Sequence, residues 1–80
     1  MPYFVYILRC RDDTLYTGMT NNFEARLALH SSGKGAKYTR GRTPLTPVYL
    51  KEVEGRSEAL KEEARIKKLS RREKEKLILQ

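Results

Sequence analysis

Five side chains in this sequence pair a reactive type with an informative spacing: Tyr6, Tyr16, Arg26, His30 and Glu63. Glu63 carries the strongest signal. It stands four residues after Ala59, three after Leu60 and three before Ile66, so on a helix it points along the apolar row Ala59, Leu60, Ala64, Ile66, whereas Glu62 points away. A carboxylate on a covered face needs a cation, a hydrogen-bond network or a metal to offset its lost hydration. Two accounts are open: an ion pair, for example with Arg26 or Lys67, or a metal ligand or acid–base group. A lone carboxylate suits one Mg²⁺ or Mn²⁺ ion, because Mg²⁺ keeps several waters and takes further oxygens from a substrate phosphate.

Arg26 and His30 lie four apart and share a helical row with Asn22. Such a row is either a solvated helix face or a working pair, with an Arg whose planar fork grips phosphate and a His that moves protons near neutral pH. Tyr6 and Tyr16 are either core aromatics with bonded hydroxyls or members of the same site. Gly18 ends a strand and lets another backbone or a phosphate come close. Lys34, Lys37, Arg40 and Arg42, with Tyr38 among them, form a basic loop without acids, the better candidate for nucleic-acid backbone contacts. A second basic group, from Arg65 to Lys76, has Glu73 and Glu75 interleaved and fits a solvated charge run in part. No phosphate-binding loop, dinucleotide fingerprint, H-E-x-x-H motif or Cys/His zinc set is present, which leaves a nucleotide cofactor and zinc chemistry without support.

Positioning these residues falls to a short series of elements. Residues 3–9 are aromatic and β-branched, as in a strand covered on both faces, with Phe4, Tyr6 and Leu8 on one side and Tyr3, Val5 and Ile7 on the other. Residues 14–18 return as a second strand. The two tyrosines share a face only if Tyr6 pairs with Gly18 and Leu8 with Tyr16, a register that calls for a three-residue turn with Asp13 in the left-handed region. Asn21 is the expected cap of a helix running from about Asn22 to Ser31, with Gly33 at its left-handed C-terminal position. Residues 31–47 are a Gly-rich basic loop, with a helical turn around Ala36–Thr39. A third strand over 47–53 follows, then a helix capped by Ser57 and a last helix opened by the Ser70–Glu73 capping box and ending near Leu79. The order β-β-α-β-α-α predicts an α+β fold, a small three-stranded, mainly antiparallel sheet flanked by helices.

Eighty residues make one small domain, which buries only about 60–65% of its unfolded surface. Seventeen Lys and Arg against ten Asp and Glu give a net charge of +7, which on so small a surface implies an anionic partner, most often nucleic acid. No apolar run reaches transmembrane length, the N-terminus lacks a signal-peptide pattern, and the single Cys10 cannot form an internal disulfide; a cytoplasmic protein without a membrane partner is expected.

Taken together, these residues resemble the GIY-YIG nuclease superfamily, most closely its small stand-alone YhbQ-like members. The similarity spans about Tyr3 to Leu77. The first motif is Phe4-Val5-Tyr6 and the second Tyr16-Thr17-Gly18; Arg26 falls at the family's helical arginine, His30 where relatives hold His or Tyr, and Glu63 at the metal-binding glutamate. Phe4 replaces the first family glycine, and Met19 stands where several nucleases carry lysine. The resemblance implies metal-assisted phosphodiester hydrolysis of DNA, with RNA also open, in DNA repair or processing. Glu63 would hold one Mg²⁺ or Mn²⁺, Arg26 would stabilise phosphoryl charge, Tyr6 would activate water with His30 acting directly or as its relay, and Tyr16 would orient water or phosphate. The alternative is a non-catalytic nucleic-acid-binding module that retains the fold.

Overall fold

The structure, a computed structural model, describes residues 1–35 and 39–80. At its centre lies the aromatic and β-branched segment Tyr3–Arg9 (β1), hydrogen-bonded on both edges in the order β2-β1-β3. Leu15–Thr20 (β2) and Thr46–Val53 (β3) both pair antiparallel to it. Among the described residues the α-helices are α1 (Phe23–Ser31), α2 (Arg56–Lys67) and α3 (Arg71–Ile78). The expected α+β order β-β-α-β-α-α is the observed one.

Because successive side chains of a strand point to opposite faces, β1 serves two cores. Val5 and Ile7 pack with Ala59 and Ile66 of α2, joined by Leu77 and Ile78 of α3. Tyr6 and Leu8 pack the other way with Cys10 and Leu45, against Tyr16 and against Phe23 and Leu27 of α1. Burying an aliphatic side chain such as Ile7 or Ile66 contributes about 1.5–3 kcal/mol, so the strand that carries Tyr6 is also the strand the fold holds most firmly.

The hairpin adopts the register that places both tyrosines on one face. Tyr6 faces Gly18, Leu8 faces Tyr16, and Asp13 takes φ 67° in the turn. On the other edge, β3 pairs Tyr49 with Ile7 and Pro47 with Leu8, a bulge that absorbs Val48.

Helix ends follow the sequence less uniformly. Asn22, not Asn21, caps α1: its extended backbone brings Oδ1 to the Ala25 N–H at 3.2 Å, and its own N–H donates to Thr20 Oγ1 at 3.1 Å. At the other end Gly33 (φ 80°) donates to the His30 carbonyl and Lys34 to the Leu29 carbonyl, a Schellman closure. Helix α2 begins one residue after Gly55, with no side-chain cap, so Ser57 lies inside its first turn instead of capping it. Its covered stripe is also narrower than expected. Ala59 and Ile66 are buried, but Leu60 and Ala64 are exposed. Helix α3 opens on the expected reciprocal box between Ser70 and Glu73. Arg9 of β1 clamps it by donating to both Glu75 oxygens at 2.8 and 3.2 Å.

Candidate active site

The β1–β2 hairpin supplies two phenols. Tyr6 is 1% exposed, its ring 5.4 Å from that of Phe23 and 6.4 Å from that of Tyr16. Gly18 makes this placement possible: a Cβ there would lie 2.6 Å from the Tyr6 hydroxyl oxygen and 2.7 Å from Cζ. The glycine opposite Tyr6 thus leaves the space the phenol fills. Tyr16, at the next pair along the same face, is only half-buried and its ring lies 5.3 Å from the His30 ring.

Helix α1 contributes an arginine and a histidine. One turn separates Arg26 from His30, and the cap at Asn22 together with packing of Phe23 and Leu27 turns this row onto the tyrosines. His30 is fully buried, with Nε2 3.0 Å from the Tyr6 hydroxyl oxygen and Nδ1 2.9 Å from Thr39 Oγ1. Burial, and then the positive charge of Arg26, hold the imidazole below its ordinary pKa, so it is neutral near pH 7 and has a nitrogen able to accept a proton. Burial raises both phenols. The Arg26 guanidinium lies against them and opposes that rise, while the Glu63 carboxylate adds to it. The arrangement is a buried Tyr–His–Thr chain with an arginine at its outer end, suited to moving a proton beside a bound anion.

Helix α2 brings the carboxylates, and they part company. Glu62 is 11% exposed and Glu63 19%, so Glu62 does not point away as expected; it is the more covered of the two. Lys51 of β3 and Arg65 bracket Glu62 at 2.6–2.8 Å; Arg65 first and then Lys51 lower its pKa to about 2, a structural ion pair. Glu63 carries its charge near enough to both phenols to raise their pKa values, and its ion-pair contact is Lys67 at 3.7 Å. Among the described residues no group of three or more His, Cys, Asp or Glu side chains could hold a metal. A donor set of one carboxylate beside phenol oxygens is oxygen-only. It fits a hard cation that keeps most of its water, such as Mg²⁺, and does not fit zinc.

The basic loop is built in part into the site. Thr39 is fully buried against His30, Leu45 belongs to the Tyr6 core, and a Cβ on Gly35 would fall 2.3 Å from His30 Nδ1. Arg42, expected to meet phosphate, forms an ion pair with Asp12, and its carbonyl accepts from the Arg11 N–H at 2.8 Å, which ties the loop to the hairpin turn. Lys34 and Arg40 are exposed; Lys37, Tyr38 and most of the expected helical turn lie outside the described residues. Sequence spacing singled out neither Thr39 nor Gly35, because both sit in a loop without periodicity.

Comparison with known proteins bears on the family and the fold. A UPF0213 protein of Oceanobacillus iheyensis is 62% identical over 76 residues, covering 95% of this chain and 88% of the relative. Another, of Syntrophus aciditrophicus, is 58% identical over 78 residues, covering 96% of this chain and 90% of the relative. The solution NMR structure of a UPF0213 protein from Bacillus halodurans superposes with a TM-score of 0.64 at 47% identity, covering 98% of this chain and 83% of that one. The solution NMR structure of a protein from E. faecalis gives 0.65 at 40% identity, covering 96% and 83%. A family model described as the GIY-YIG catalytic domain matches residues 2–76, and the chain therefore belongs to the GIY-YIG family.

Proposed function

We propose that this protein is a divalent-metal-dependent endonuclease that hydrolyses phosphodiester bonds of DNA, in repair or processing. Membership of a nuclease-domain family supports the coarser reading, an endonuclease acting on nucleic acid. The observation that carries the finer one is the buried contact between Tyr6 and neutral His30 at 3.0 Å with Arg26 against the same phenol.

Glu63 would hold one Mg²⁺ or Mn²⁺, which when bound polarises the phosphate and stabilises the leaving 3′ oxygen. Arg26 transfers its donors from the phenols to the phosphoryl oxygens, a better-matched anionic partner, and so uncovers the Tyr6 oxygen. Tyr6 takes a proton from the attacking water as its own proton passes to His30 Nε2. This route avoids a free phenolate, which a phenol of pKa about 10, raised further by burial, would form too rarely at pH 7. Tyr16, the half-buried phenol, orients the water or the phosphate. Lys34 and Arg40, with Lys37, Tyr38 and Arg42, complete the proposed backbone contacts.

One observation favours a second reading, a nucleic-acid-binding module without catalysis: burial lifts both phenols away from the range of a useful base. Incubating the purified protein with single- and double-stranded DNA and with RNA, under Mg²⁺, Mn²⁺ or EDTA, separates the two. The proposal expects metal-dependent cleavage that drops at least a hundredfold in Glu63→Ala, on the scale by which a lost catalytic group slows a reaction. Binding without cleavage under every metal would establish the module instead, and unchanged cleavage by Glu63→Ala would remove the metal role.

A further inference from the structure

Helix α1 covers the Tyr6 face of the sheet only in part. It packs there through Phe23 and Leu27. Leu50 of β3 pairs with Tyr6 and so points to the same face, yet it is 51% exposed. Two residues back along β1, Phe4 also points that way and is half-buried. Beside the start of α1 lies a cleft of about 290 Å³, lined by the apolar Phe4, Phe23 and Leu50 and by the polar Asn21, Asn22 and Glu24. Its size is near the lower bound of about 300 Å³ for small-ligand sites, which suits one planar ring system.

The cleft is continuous with the candidate active site. Phe23 lines it and also sets its ring 5.4 Å from that of Tyr6, while Leu50 is the strand partner of Tyr6. Its occupant is then part of whatever binds beside Tyr6, which on the nuclease reading is nucleic acid. Charge decides which part. Glu24 repels a phosphate, and among the described residues that line the cleft there is no Lys or Arg to attract one. Aromatic and aliphatic side chains suit the face of a base instead. Asn21, which is exposed, can both donate to and accept from a base edge, and Glu24 can accept from an exocyclic amine; Asn22 is occupied in capping α1. A paired base has its faces stacked on its neighbours, so only an unpaired base can enter.

We infer that this cleft is a subsite for one unpaired nucleobase of the substrate, stacked on Phe4 and packed against Leu50. This rests on the reading of the chain as a nuclease. The basic loop meets any phosphate backbone and does not discriminate between strands; the cleft does. It selects nucleic acid that is single-stranded, or locally unpaired, beside the bond to be cut.

Fluorescence anisotropy in EDTA, where the proposed hydrolysis is blocked, tests this with three DNA probes of one length: a single strand, a duplex and an abasic single strand. Phe4→Ala should weaken binding of the single strand about five- to a hundredfold, the range for losing one base–aromatic stack. The duplex and the abasic strand should bind as they do to the wild type. Leu50→Thr, at an exposed position and with strand preference kept, should weaken the single strand alone by a smaller factor, and it decides the matter if Phe4→Ala does not fold. In methyl spectra the single strand should shift the Leu50 resonances. Equal losses on all three probes, or none on the single strand, overturn the inference. So do Leu50 resonances that move with protein concentration and not with the strand, since a second copy of the chain would then cover the cleft. Repeating the series with Mg²⁺ or Mn²⁺ separates this inference from the assigned function. Cleavage indifferent to Phe4 and Leu50 keeps the nuclease and removes the subsite; the expected binding pattern without cleavage keeps the subsite and removes the nuclease.

Discussion

Gly18 shows how one missing side chain organises a site. Alanine there would put a methyl group 2.6 Å from the Tyr6 hydroxyl, and the ring, covered by Phe23, has nowhere to retreat. Gly18→Ala should therefore cost about 1–3 kcal/mol by overpacking and separate Tyr6 from His30. Chemical denaturation reads the first effect and the His30 Nε2 resonance the second; an unshifted resonance would mean that the phenol is not held by this gap. His30 also makes stability depend on pH. Its folded pKa is depressed, by burial first and Arg26 second, so between that value and the unfolded value of about 6.5 the unfolded chain binds more protons. Stability is then full above about pH 6.5 and declines as pH falls from there toward the folded pKa. The urea midpoint should slope downward as pH falls below about 6.5 in the wild type and lose most of that slope in His30→Gln. The lowered carboxylates Glu62 and Glu75 act below that window, because their stabilisation is lost only as pH falls from the ordinary 4.5 of a glutamate toward about 2. At this scale the sequence was legible where spacing had a period. Tyr6, Tyr16, Arg26 and His30 could be read from strand alternation and a helical row, and they do meet. Thr39 and Gly35 could not, since a loop residue is placed by packing that no period encodes. Glu62 was misread because Lys51 lies on a strand eleven positions earlier, and no helical pattern reveals that partner.

Elements were legible to the extent that their ends were specified by local chemistry. The hairpin register followed from the tolerance of Asp13 for the left-handed region, and it alone decided that both phenols share a face. The Ser70–Glu73 box is fully local and reciprocal, and it formed as read. The cap of α1 slipped by one residue because Asn21 and Asn22 are equally good formers, and Thr20 Oγ1, by binding the Asn22 N–H, chose between them. Ser57 failed as a cap because the chain turns at Glu54–Gly55 and starts the helix earlier, a choice set by the end of β3 and not by serine. This contrast is testable. Ser70→Ala should cost about 1 kcal/mol, which in a chain this short lowers the thermal midpoint by roughly 4–8 °C. Ser57→Ala, which removes no cap bond, should stay within about 0.5 kcal/mol of the wild type. Thermal melts of the two variants side by side check it, and equal losses would mean that the α3 box contributes nothing beyond ordinary surface substitution. The loss at Ser70 should also loosen the Arg9–Glu75 clamp, since that pair holds α3 to the strand carrying Tyr6.

For the molecule as a whole, the net charge of +7 is the term that acts at a distance, and the structure shows how the acids are spent. Asp12 meets Arg42, Asp13 meets Arg9 and Arg71, Glu62 meets Lys51 and Arg65, and Glu75 meets Arg9 and Arg71. Acidic charge is thereby gathered around the hairpin turn and the flanks of α2 and α3, while Lys34 and Arg40 remain exposed on the loop whose buried residue Thr39 touches His30. A polyanion drawn to this loop arrives beside the candidate site. The expected signature is a linear fall of log affinity with log salt, each neutralised duplex phosphate contributing a slope of about −0.9. Replacing Lys34 or Arg40 by Gln should flatten that slope by about one each, with turnover at saturating DNA unchanged. Arg42→Gln should behave differently: it breaks the Asp12 pair that fastens the loop, so it should disturb the His30 environment as well as the salt slope. Fluorescence anisotropy on one duplex across a salt series measures the slopes, and the His30 resonances report the loop. If Lys34→Gln and Arg40→Gln leave the slope of the wild type intact, the nucleic acid does not run along this loop, and the basic residues of α2 and α3 become the surface to test.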